Sequence, residues 1–303
     1  MSGCLDDVIK ALETGGPLTG KDLLRMTRMD EFALWSVCNR SERIITRITG
    51  RRYLRLDRQV AEYARISPSI MREFHGYTVV GLKKHLPELT RKAELMEKEI
   101  AGISAEKFAL AQNTVAGLVE SLHDRLLIKE RACFMIAGDV VYGMAHAEPR
   151  PERSTGELVR GSDIDLVIVV EDMPAPVMEI LESSIYDEKY SLLVNPSRRE
   201  ELDYIVKDIS RVRKQLQFDG FKEMVASKIL HEARFLYGSR VVYDGIKRML
   251  AERGVPDKLR ALEEKALLDR RNAEAYLLEK GASVPKGEWM KLFYTAEEKE
   301  EIF

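Results

Sequence analysis

The stretch Arg160-Gly161-Ser162-Asp163-Ile164-Asp165-Leu166-Val167-Ile168-Val169-Val170 places two aspartates, one residue apart, at the head of an almost wholly apolar run. In a strand, residues i and i+2 face the same side, so Asp163 and Asp165 are expected to project together. The residues after Asp165 are all Leu, Val or Ile, the pattern of a strand buried on both faces in a helix-covered sheet. Side-by-side carboxylates repel, and a divalent cation compensates them; Mg²⁺ favours carboxylate oxygen together with water and phosphate. Upstream, Cys133-Phe134-Met135-Ile136-Ala137-Gly138-Asp139-Val140-Val141-Tyr142-Gly143 reads as a second apolar strand running into a Gly-bounded turn.

This combination resembles the DNA polymerase β-like nucleotidyltransferase superfamily. The family pattern is a strand, a Gly-Ser turn with a second Gly shortly after, then Ser-Asp-x-Asp-apolar on the next strand. Here Gly138 and Gly143 match the turn glycines, and Ser162-Asp163-Ile164-Asp165-Leu166 matches the acidic strand in full. The resemblance implies a third carboxylate on a later strand. Asp203, in Glu201-Leu202-Asp203-Tyr204-Ile205-Val206, is the best candidate, and Asp208, of opposite parity, the weaker one. In character it extends to Ser227–Asp244, which looks like the helix and closing strand of small members, so that it covers about residues 105–250.

What the resemblance implies is transfer of a nucleoside monophosphate from an NTP to an acceptor hydroxyl on a nucleic acid, a protein or a small molecule. Asp163, Asp165 and Asp203 would be the catalytic, metal-holding residues, with Mg²⁺ as cofactor and Mn²⁺ as an alternative. Gly138, Asp139, Gly143 and Ser162 would line the nucleotide, the glycines letting backbone N–H groups approach the phosphates. Two departures stand out. Asp139 occupies the position where the family has Ser or Gly, which puts negative charge toward a triphosphate. The segment from Met144 to Arg160 is longer than usual and rich in Pro and charge, which reads as a mobile loop beside the site. Its Arg150, Arg153 and Arg160 are available for phosphate, Arg160 the most favourably placed and the other two expected to be inert.

The first 75 residues read as short helices and then a two-stranded ribbon. Thr19 and Asp30 are expected to cap the second and third helices. Residues 44–57, with β-branched residues leading into a turn at Gly50 and alternation after it, are expected to pair as a hairpin. Helix, helix, helix, hairpin in that order resembles a winged helix-turn-helix domain. Seven arginines lie between residues 40 and 58, against Glu42 and Asp57. Of these, Arg40, Arg43, Arg47, Arg51, Arg52 and Arg55 are the candidate contacts to DNA or RNA backbone.

The expected class is therefore α+β. It comprises a winged-helix-like domain (1–75), a helical connector (76–104), a nucleotidyltransferase-type mixed sheet with helices (105–250) and a C-terminal helical extension (251–303). The extension is expected to pack on the nucleotidyltransferase-like domain or to mediate oligomerisation. Lys plus Arg number 48 against 50 Asp plus Glu, which excludes a uniformly basic nucleic-acid coat. No apolar run reaches the roughly 20 residues of a membrane span. The acidic start of the chain is unlike a signal peptide, and Cys4, Cys38 and Cys133 have no disulfide or zinc spacing. A reduced, cytoplasmic protein is expected, with NTP as its partner. The alternative is a nucleic-acid-binding regulator whose nucleotidyltransferase domain is a nucleotide sensor or inactive.

Overall fold

The computed structural model describes residues 2–152 and 155–293; Arg153 lies outside the described residues. The chain is α+β and forms two compact units, Met1–Glu99 with Leu262–Phe303, and Ile100–Ala261. Among the described residues, no helix is long and apolar enough to cross a membrane.

The first unit begins with α1 (Ser2–Gly15), β1 (Leu18–Thr19), α2 (Gly20–Thr27) and α3 (Glu31–Arg40). Both expected caps form: Thr19 Oγ1 accepts from the Asp22 amide at 3.1 Å, and Asp30 Oδ1 from the Ala33 amide at 3.0 Å. There follow β2 (Ile44–Ile48), β3 (Tyr53–Leu56), β4 (Ala64–Ser67), α4 (Ile70–Tyr77), β5 (Thr78–Leu82) and the long α5 (Leu86–Ser121). The ribbon expected within residues 44–57 does not form. β2 instead pairs antiparallel with β5, which also pairs with β1, giving a three-stranded sheet in the order β1-β5-β2. β3 pairs with β4 in a separate hairpin. The connector expected from residue 76 therefore opens with a core strand, all five residues of which are buried.

The second unit continues with α6 (Arg125–Arg131), β6 (Ala132–Ala137), the single-turn α7 (Asp139–Tyr142), β7 (Pro149–Pro151), β8 (Leu158–Arg160), β9 (Ile164–Val170), α8 (Ala175–Val194), β10 (Leu202–Asp208), α9 (Ile209–Gln215), α10 (Phe221–Glu232), β11 (Arg234–Gly238) and α11 (Arg240–Glu252). Its four-stranded sheet runs β10-β9-β6-β11, with β9 and β10 parallel and the other pairs antiparallel. Ile164, Leu166, Ile168 and Val170 point into a core shared with α5 and α8. On the opposite face, α9, α10 and α11 pack over the sheet. Val167 and Val169 are buried there, and Asp163 and Asp165 occupy the same face further up the strand. The expected mobile loop is in part a hairpin, because Pro149–Pro151 pairs with Leu158–Arg160. The expected closing strand stops at Gly238: Ser239 Oγ accepts from the Val242 amide and starts α11.

α12 (Val255–Lys280) and α13 (Lys286–Phe293) complete the chain. Their outer portion belongs to the first unit, against the expectation of packing on the nucleotidyltransferase-like domain. Leu277, Val284 and Phe293 share one apolar core with Leu12, Leu23, Phe32, Leu34 and Trp35. Phe32 stacks on Trp289 at 5.1 Å, and Trp35 meets Phe293 edge-on at 5.5 Å. A buried network adds polar fixation, with Arg52 donating to Glu73 (2.6 and 2.7 Å) and to Glu274 (2.8 Å). Arg270 donates to the same two acids and to the Pro68 carbonyl.

Candidate active site

β6 delivers Ala137 beside Asp165 of β9, and the chain then turns at Gly138. Gly138 has φ +71°, and a Cβ there would lie 2.1 Å from Asp165 Oδ2. Glycine is required on both counts, and its bareness lets the Asp165 carboxylate lie over the turn. α7 follows and ends at Gly143, in the left-handed region. Ser162, nearly buried, ties this turn to the acidic strand. Its amide donates to the His146 carbonyl (3.0 Å), and its Oγ accepts from the His146 amide (3.2 Å) and lies 3.4 Å from Asp139 Oδ2. Gly161 passes so close to His146 that a Cβ would clash with its carbonyl oxygen at 1.8 Å. All four residues expected to line a nucleotide thus surround one turn.

The parallel pairing of β9 and β10 sets Asp165 opposite Asp203, and the Ile164 amide donates to the Glu201 carbonyl at 2.9 Å. Asp163 and Glu201 therefore form a second rank beside Asp165 and Asp203. The carboxylates that converge are Asp163, Glu201 and Asp203, whose oxygens lie within 4.8 Å of one another. This differs from the expected trio, since Glu201 takes the place given to Asp165. The signal was present in the sequence: Glu201-Leu202-Asp203 repeats the acid-apolar-acid spacing of Asp163-Ile164-Asp165. Asp208 has a different task, accepting from the Arg211 amide as the cap of α9.

Like charges dominate here. The Asp165 carboxyl is pushed up to about 6, chiefly by burial and then by Asp139, Asp203, Glu232 and Glu201. Three cations offset the acids. Arg150 Nη2 pairs with Asp163 and lies 2.9 Å from Glu201 Oε2, while its Nε donates to the Gly161 carbonyl at 2.8 Å. Lys189 Nζ lies 2.6 Å from Asp203 Oδ1. Lys228 pairs with Glu232 and donates to Tyr142 Oη at 2.9 Å. Arg150, expected to be inert, is thus part of the acidic face, whereas the Arg160 side chain is exposed.

Beneath the site, Lys107 of α5 is buried against Glu200 and donates to the Arg160 carbonyl at 2.7 Å. Burial lowers its pKa despite that partner. One lysine so holds the residues that precede both acidic strands.

The arginines proposed for nucleic acid do not act as one group. Arg40 donates to the carbonyls of Leu278 and Glu279 at the end of α12, and Arg52 belongs to the buried network with Glu73 and Glu274. Arg47 lies 3.9 Å from Glu97. Arg55 is half-buried on β3, while Arg43 and Arg51 are exposed.

No protein-family profile matches the chain, no curated protein matches it, and no solved structure matches its fold.

Proposed function

We propose that the chain is a nucleotidyltransferase that moves a nucleoside monophosphate from an NTP to an acceptor hydroxyl. The observation that carries this reading is the alignment of Asp165 with Asp203 on parallel strands, flanked by Asp163 and Glu201, beside a turn in which Gly138 admits the Asp165 carboxylate. Buried sheets seldom gather carboxylates at one end without a ligand to neutralise them. The donor set fits a hard divalent cation, since three carboxylates supply only oxygen and converge closely enough to share one ion. Asp163, Glu201 and Asp203 would hold it, with Mg²⁺ as the proposed ion. Bound there, it would neutralise triphosphate charge and favour the ionised form of the acceptor hydroxyl.

The chain's own residues supply the remainder. The turn between Gly138 and Gly143 sets the floor on which phosphates approach, and Ser162 holds that turn against the acidic strand. The acceptor oxygen adds to the α-phosphorus, the bond to the bridging oxygen breaks, and pyrophosphate leaves. The hydroxyl proton passes to a carboxylate of the acidic face. Calorimetric titration of NTP with and without Mg²⁺ tests this reading. Mg²⁺-dependent binding should vanish in Asp165→Asn/Asp203→Asn while the circular-dichroism melt is retained; undiminished binding in that variant would end it.

A second reading rests on the first unit. Three helices followed by a sheet in the order β1-β5-β2 support a winged-helix arrangement in which β5 is the returning wing strand. Much of α3 is buried in the core, so contact with a nucleic-acid backbone would fall to Arg43, Arg51 and their neighbours. Salt-sensitive duplex binding that is lost in Arg43→Gln/Arg51→Gln, without NTP turnover, would favour this reading over the first.

A further inference from the structure

We infer that Arg150 is a built-in counter-ion of the acidic site, and that a divalent cation must displace its guanidinium to bind. The inference rests on the cation site proposed above and adds what controls it. The guanidinium is placed by the hairpin and not by chance contact. Arg150 sits between Pro149 and Pro151, and a residue before proline is driven to extended backbone. Its strand partner is Val159, nearly fully buried, and the next residue is held on both sides. The Arg160 amide donates to the Arg199 carbonyl at 2.8 Å, and the Arg160 carbonyl accepts from Lys107. The backbone at the base of the hairpin is therefore fixed, and any displacement of the guanidinium falls to rotation of the long side chain.

That side chain reaches two of the three converging carboxylates. Nη2 pairs with Asp163 and with Glu201, and Nε is anchored on the carbonyl of Gly161, two residues before Asp163. Lys189 holds the third carboxylate, Asp203. One carboxylate oxygen from each of Asp163, Glu201 and Asp203 lies within 4.8 Å of the other two. A guanidinium and a dication cannot share that space, because each would lose its carboxylates to the other and the two would repel. Arg150 and the cation are thus alternatives on the same oxygens. The pair keeps the acids compensated until the cation arrives, and it sets the cation's affinity.

The test is titration of the full chain with Mn²⁺ alone at low ionic strength, read by electron paramagnetic resonance. Arg150→Gln should tighten Mn²⁺ binding by about tenfold or more, the scale of one charge-assisted contact. Arg150→Lys retains the charge without the fork and should tighten it less. Arg198→Gln removes an exposed charge paired elsewhere and should leave affinity within about twofold. Asp163→Asn should lose Mn²⁺ in every background. Equal or weaker binding in Arg150→Gln, with loss still seen in Asp163→Asn, overturns the role of Arg150 and leaves the cation site standing. No Mn²⁺ binding by either the parent or Arg150→Gln overturns the cation site itself. Should Arg150→Gln fail to fold, Arg150→Lys decides by the same sign.

Discussion

The two units treat an exposed face in opposite ways. In the first, the aromatic face of α3 is covered: Phe32 and Trp35 lie against Trp289 and Phe293, and Arg40 and Arg52 are bonded within the unit. In the second, an acidic sheet end is left partly open, with Asp203 half-exposed and Asp165 raised by its neighbours. Covering apolar surface is what any fold does. Gathering four carboxylates on two strands works against stability unless a cation compensates them. The contrast is the ground for proposing chemistry in the second unit, and it shows that Arg40 and Arg52, whose sequence pattern points to nucleic acid, serve the architecture of the first.

The strongest attempt to break this contrast is Phe293→Ala. The ring is fully buried among other aromatics, so its loss should cost about 3–5 kcal/mol in urea denaturation. A cost below about 1 kcal/mol would mean that the C-terminal cover is not core. The next sharpens the contrast within a single strand. Asp203 and Lys207 share one face of β10, the first exposed and the second buried, with the lysine pushed down to about 8 by burial and by Arg211. Below pH 8 the fold carries a buried ammonium that the unfolded chain keeps solvated, so charge at Lys207 is destabilising there. The penalty fades as pH rises from 8 to the ordinary value of 10.5. Lys207→Met should accordingly stabilise by about 2 kcal/mol at pH 7, with little gain near pH 10.5. A pH-independent effect would assign the change to packing. The smallest effect separates two arginines of the same basic stretch. Arg52→Gln should cost about 2 kcal/mol by leaving Glu73 buried and under-compensated, whereas the exposed Arg43→Gln should stay within about 0.5 kcal/mol. Equal costs would mean that Arg43 is structural too.

Much of the second unit is legible from local sequence. An apolar run headed by alternating acids specifies both a strand and a face, and Gly138 announces a turn that only glycine can make. The helix caps at Thr19 and Asp30 are equally local. What stays hidden is pairing across distance. β2 finds its partner in β5 only after an inserted hairpin and helix, so a Gly-centred stretch of β-branched residues resembles a hairpin that never forms. Arg150 reads as loop charge because its value lies in reaching Asp163 and Glu201, thirteen and fifty-one residues further along the chain. The C-terminal cover of α3 is invisible for the same reason, since its aromatics meet partners more than 250 residues earlier.

Lys107 has a consequence for how faithfully the acidic site is assembled. Side chains alternate along a strand, so a slip of β9 against β10 by one residue would turn one strand's acids toward the Leu and Ile core. By gripping the Arg160 carbonyl and the Glu200 carboxylate at once, a single buried ammonium reads the alignment of both strands before either acid pair begins. A misaligned sheet forfeits that grip and buries the lysine without compensation. The lysine is in effect a proofreader of strand pairing, which leaves the acidic face either correctly built or not built.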